Sequence, residues 1–119
     1  MGPKELMRAL DEHDALIRTC VRGDIGVREF IAAYDCFYHR AALDGHEGNA
    51  EDLLPFADRI EVHRLVYEHI DTHFTTEEHA ANPEYAKMGW IGEREALVRL
   101  REIARQRGLL EELRARRNE

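Results

Sequence analysis

The sequence predicts an all-α fold, an antiparallel four-helix bundle, from three observations. Apolar residues recur three and four positions apart in four separate stretches, breaks carrying glycine or proline fall between them, and no alternation of the strand kind is sustained anywhere. With 119 residues, 44% of them hydrophobic and 34% charged, the chain has ordinary globular usage. Two domains would each be left with a marginal core, so one helical domain over 1–119 is expected.

The first helix is predicted from about Pro3 to Val21, with proline in the first turn, where its missing N–H costs nothing, and Gly23 ending it. Its stripe is Leu6, Leu10, His13, Ile17 and Cys20, flanked by Leu16 and Val21, so a histidine sits in the middle of the face meant for burial. A second helix follows the connection Arg22-Gly23-Asp24-Ile25-Gly26. Val27, Phe30, Ile31, Tyr34, Phe37, Tyr38 and Ala41 lie on one side of it, Asp35 at the edge, and Cys36 and His39 opposite. Such an aromatic stripe is read as core filling and not as a cofactor box.

Asp44 to Asn49 is turn-rich, and Asn49 or Asp52 could cap the third helix. That helix carries Pro55 in its first turn and Phe56, Ile60, His63, Tyr67, Ile70 and Phe74 on one stripe, widened by Val62 and Val66. Residues 75–90 lack periodicity and contain Asn82-Pro83 and Met88-Gly89, which predicts an irregular connection or one short helix. A fourth helix from Gly92 to Gly108 buries Ala96, Leu97, Leu100, Ile103 and Ala104. Leu109 to Arg117 then forms a short fifth helix or a partner-binding extension.

The net charge is −7, and it is uneven: residues 1–91 hold 18 Asp/Glu against 9 Lys/Arg, residues 92–119 hold 6 against 8. Nucleic-acid binding relies on cationic neutralisation of phosphate, so an acidic body argues against it and favours a basic protein partner. Cys20 and Cys36 occur without an apolar leader and no run approaches a membrane span. A cytoplasmic protein with reduced thiols and no membrane partner is therefore expected.

Seven histidines invite a metal reading. Asp35 with His39, and His69 with His73, are each four apart and so share a helical face. Being off the packing stripes, these pairs are expected at the solvated surface. His13 and His63 are central on their stripes, with Cys20 as the only other soft ligand there, and these three define a metal-binding bundle as the alternative reading. The competing reading pairs both imidazoles with Tyr34, Tyr38, Tyr67 or backbone, because buried polar groups require partners. No cofactor is expected. Nucleophilic catalysis has little to work with, since the chain contains no serine and only four threonines. Glu77-Glu78-His79 falls in the irregular segment, and a non-enzymatic role is expected. Asp44, Glu47, Glu51, Asp52, Asp58 and Glu61 are expected to form an acidic surface over the second connection and the outer side of the third helix, either a solvated face or a docking site for a cationic protein. A homodimer paired through the last segment is a further alternative.

One passage adds a family. Leu16-Ile17-Arg18-Thr19-Cys20-Val21-Arg22-Gly23-Asp24-Ile25, followed by Glu29-Phe30 and Tyr34, resembles the opening of the small helical immunity proteins related to that of colicin D, and Gly89 to Leu97 is similar to the acidic start of that group's last helix. The resemblance covers about a third of the chain. It implies stoichiometric inhibition of a toxin or nuclease by covering a cationic, RNA-binding cleft with acidic side chains. The loop at 44–49 and the histidines of the third helix depart from that pattern, and no residue is matched to a specific toxin contact.

Overall fold

A computed structural model describes residues 2–109. It is all-helical. Among the described residues the only extended pairing is an isolated parallel bridge between Phe74 and Ile91, and no helix is long and apolar enough to cross a membrane.

α1 (Pro3–Val21) occupies the predicted span, with Pro3 in its first turn and Arg22 at its C-cap. Leu6, Leu10, His13, Ile17 and Cys20 are all buried, as is Asp14, one residue off the stripe. The predicted second helix is broken in two. α2 (Val27–Tyr34) ends at Asp35 and α3 (Phe37–Arg40) begins after Cys36, both corner residues adopting the left-handed conformation at φ 49° and 47°. Neither is glycine, so the corner is strained by about 1–2 kcal/mol per residue. Packing accounts for it. Tyr34 and Phe37 are three apart and both fully buried, and the break turns both rings onto the imidazoles of His13 and His63.

The predicted third helix is composite. It comprises α4 (Ala50–Leu53), a 3-10 turn over Leu54–Phe56, α5 (Ala57–Val66) and a π turn over Tyr67–Asp71. Pro55 has no N–H to give to a continuous helix, which places the tight turn there. Asn49 occupies the N-cap of α4, but its side chain makes no capping bond, contrary to expectation. The widened turn frees the carbonyl of His69, which accepts 2.7 Å from Arg99 Nη1 of the last helix.

Residues 75–90 hold two one-turn helices. α6 (Glu77–Ala81) is capped by Thr76, whose hydroxyl accepts from the His79 N–H, and α7 (Pro83–Lys87) by Asn82, which accepts from the Glu84 N–H. The Phe74–Ile91 bridge clamps both ends, with Thr75 N–H to Ile91 O and Ile91 N–H to His73 O each at 2.8 Å. α8 (Glu93–Gln106) then packs against α1, α2, α5 and the π turn. Its N-terminus is closed by Glu77, whose carboxylate accepts 2.7 Å from the Arg94 N–H. The core gathers Phe30, Tyr34, Phe37, Leu10, Ile17, Ile70, Val66 and Leu100. Past Leu109, the C-terminal segment expected as a fifth helix or dimer contact lies outside the described residues.

Candidate functional site

Two polar assemblies stand out, one inside the fold and one on its surface. The internal one starts at exposed Asp11. Arg59, half-buried on α5, donates 2.7 Å to Asp11 and 2.9 Å to Asp14 Oδ2. The other oxygen of Asp14 accepts 2.9 Å from His63 Nε2, and His63 Nδ1 lies 2.5 Å from the Tyr34 hydroxyl. The partners assign the tautomer: Nε2–H donates to the carboxylate and Nδ1 accepts from tyrosine. Burial works to raise the Asp14 carboxyl, but the bonds from His63 and Arg59 outweigh it and hold the group below its ordinary range. Tyr34 is pushed well above the usual phenol range, first by burial and then by the Asp71 and Asp14 carboxylates. Such a hydroxyl donates a hydrogen bond and stays neutral.

His13 belongs to the same layer. Its ring stacks on Phe37 at 3.6 Å between centroids and 6° between planes, and Phe37 meets His63 edge-on at 5.0 Å. Nδ1 donates 2.7 Å to the Ala9 carbonyl, leaving Nε2 to accept from Arg40 Nη2 at 3.3 Å. Burial, reinforced by His63 and Arg40, lowers its pKa against the opposing pull of the Ala9 carbonyl. The ring nitrogens of both histidines are thus engaged with protein groups. Cys20, buried on α1 with its thiol pKa raised by burial, joins no cluster of metal-ligating groups among the described residues. The arrangement that the metal-bundle alternative needs, His13, His63 and Cys20 converging on one point, is not the one formed.

Asp71 closes the π turn beside this layer. Both its carboxylate oxygens are buried with no hydrogen-bond partner among the described residues, and burial raises its pKa to about 7.

The surface assembly is the acidic one. Glu47, Glu51, Asp52 and Asp58 are exposed along the loop, α4 and the start of α5, and none has a lysine or arginine partner among the described residues. Leu54, between Asp52 and Asp58 in sequence, is 70% exposed on the 3-10 turn. Leu54 helps line a groove of about 190 Å³ with Tyr38, Leu43, Leu53 and Ile60 and, at its polar edge, Asp44, Glu61 and Arg64. Two of the six expected residues are not free. Asp44 takes the His46 N–H at 3.1 Å and His46 Nδ1 at 2.5 Å, and these bonds lower its pKa. Glu61 is half-buried at the groove and ion-paired with Arg64 one turn on, with Arg107 at 3.5 Å; these contacts hold its carboxyl below the usual range.

Of the pairs expected at the surface, Asp35 and His39 are both exposed, as is His69; His73 is half-buried, its Nδ1 2.7 Å from the Thr72 hydroxyl. Within Glu77-Glu78-His79, Glu77 caps α8, and His79 stacks on Tyr85 at 3.8 Å. Sequence reasoning missed Asp14, Arg59 and Asp71. A signal existed for the first two: Arg59 and His63 are four apart on one face of α5, and Asp14 adjoins the stripe histidine of α1. Comparison with protein-family models, with curated proteins and with solved structures finds no match to this chain.

Proposed function

We propose that this chain is a non-enzymatic protein-binding module of the immunity kind, which docks the cationic face of a toxin or nuclease on the acidic shelf formed by the 44–49 loop, α4 and the start of α5. The observation that carries this reading is the 47–58 stretch: four exposed carboxylates, Glu47, Glu51, Asp52 and Asp58, without lysine or arginine partners among the described residues, accompany exposed Leu54, which lines a largely apolar groove that also holds the Glu61–Arg64 pair. Unpaired like charges on a surface raise the local potential and speed encounter with a cationic protein by about 10- to 1,000-fold at low salt. The leucine and groove would supply the desolvated contact from which residence time comes. The resemblance to colicin D immunity proteins points the same way. In this reading the helices are the legs of an antiparallel four-helix bundle, namely α1, α2 with α3, α4 through the π turn, and α8. The polar chain inside them fixes the scaffold, and the protein acts in the cytoplasm.

The test is a search for a cationic partner, encoded beside the chain or captured by it from its native source, followed by surface plasmon resonance across a salt series. The expected result is a one-to-one complex whose association rate falls steeply with salt. Reversing Glu51, Asp52 and Asp58 to lysine should slow association by at least about tenfold. Leu54→Asp should instead speed dissociation and leave association nearly unchanged. A salt-insensitive complex, or one indifferent to both sets of variants, overturns the reading.

A further inference from the structure

The 39–46 segment, whose 44–46 end is also part of the proposed docking shelf, folds back on itself. α3 ends at Arg40, and the chain reverses through Ala42 at φ 54° and Gly45 at φ 82°. The turn is held by Ala42 N–H to His39 O at 3.0 Å, Leu43 N–H to Tyr38 O at 2.9 Å and Gly45 N–H to Ala42 O at 3.0 Å. Gly45 is required there: besides its positive φ, an added Cβ would stand 3.1 Å from Ala50 Cβ. The reversal brings His39, Asp44 and His46 together, with one ligating atom from each lying within 4.8 Å of the others. The His39 ring lies 5.1 Å from that of His46 and 5.9 Å from that of Tyr67, nearly parallel to each. Glu47 adds a carboxylate 4.0 Å from His46 Nε2. No arginine or lysine bridges to Asp44 or Glu47 among the described residues, so the cluster faces solvent with a negative balance.

We propose that His39, Asp44 and His46 form a surface site for a divalent transition ion of the zinc type. Two imidazoles with one carboxylate suit zinc, nickel or copper far better than calcium or magnesium, which favour all-oxygen shells. A tetrahedral zinc with bonds of about 2.0–2.1 Å sets its ligand atoms about 3.3 Å apart. Atoms already within 4.8 Å reach that spacing by small rotations of exposed side chains. The ion takes the place of the hydrogen bond between His46 Nδ1 and Asp44. Glu47 or water completes the shell. The site needs no partner protein and stands whether or not the shelf docks one.

Calorimetric titration of the untagged full chain, freed of metal by chelation, with zinc chloride and separately with nickel chloride tests this. One ion per chain is expected, with each of His39→Ala, His46→Ala and Asp44→Asn weakening binding by at least about tenfold and His79→Ala leaving it unchanged. As a measurement on the unaltered protein, substoichiometric copper(II) should broaden the imidazole proton signals of His39 and His46 before those of other histidines. Failure to bind one equivalent at about 100 μM metal, unchanged binding by the His39→Ala/His46→Ala double variant, or first broadening at other histidines would each overturn the assignment.

Discussion

His63 Nε2 and Asp14 Oδ1 lie 2.9 Å apart in the interior, joining α5 to α1 through a side chain with no solvent exposure. The bond is one link of a longer chain, since His63 also takes the Tyr34 hydroxyl and Asp14 also takes Arg59. Every member therefore satisfies a neighbour. Removing one leaves a buried polar or charged group without a partner, which costs more than the bond itself contributes.

For this reason His63→Ala and Asp14→Ala should each destabilise the protein by roughly 3 kcal/mol, and Tyr34→Phe by about 1–2 kcal/mol through the orphaned Nδ1. The two alanine variants should not add: a double-mutant cycle by urea denaturation should show coupling of about 1–3 kcal/mol. Strict additivity would mean that the two residues do not support one another.

Stability should depend on pH in two opposing ways. Asp14 has its pKa lowered in the fold, so its contribution is present above the unfolded value of about 3.9 and is lost as pH falls through the folded one. His13 is also lowered, so the unfolded chain binds more protons just below about pH 6.5 and acidification costs stability there. Asp71 runs the other way. Its value is raised to about 7, so the folded chain holds the extra proton between about pH 4 and 7, and stability falls as pH rises through that window. Asp71→Asn removes the ionisation. Relative to the parent, its stability should be flat near pH 4, climb by about 2 kcal/mol towards pH 7 and level off above. A parallel pair of stability curves would show that Asp71 ionises at an ordinary pH.

How much of this is legible in the sequence depends on where each interaction is made. Stripes are local, so the span of α1 and all of the buried set of α8 but Leu97, which is half-buried, can be read from spacing alone. The corner at Asp35–Cys36 carries no glycine or proline; it exists because Tyr34 and Phe37 must both face histidines from other helices, and tertiary packing overrides a clean helical period. The pairing of Glu61 with Arg64 is legible too, because three residues is contact distance on a helix. His39, Asp44 and His46 belong together only because the chain reverses between them, and no face of a helix brings them to one place.

The strained corner makes its own prediction. Cys36 is exposed and left-handed, so Cys36→Gly should relieve steric cost without disturbing the core, raising stability by about 0.5–1 kcal/mol and Tm by a few degrees. Cys36→Val, β-branched in a region it avoids, should lower stability by at least as much. Thermal melts of the pair decide it, and a glycine variant that melts lower than the parent would show that the thiol contributes more than the strain costs.

Glu77 and Gly92 make the last prediction. The Glu77 carboxylate accepts the Arg94 N–H at the start of α8, and it sits where a side chain on Gly92 would go: an added Cβ would lie 2.7 Å from its nearer oxygen. Glycine is needed here for space and not for backbone freedom, since its φ of −93° suits any residue. Glu77→Ala removes the cap and should cost about 1 kcal/mol. Gly92→Ala should cost a similar amount by pushing the carboxylate off the same N–H. Once Glu77 is alanine, however, there is nothing left to displace, and Gly92→Ala should then be neutral or slightly stabilising because it stiffens the unfolded chain. Hydrogen exchange at the Arg94 amide separates this from generic crowding. Exchange should speed up in both single variants, by similar factors, and should not speed up further in the double; additive losses with a protected Arg94 amide would contradict the shared-site account.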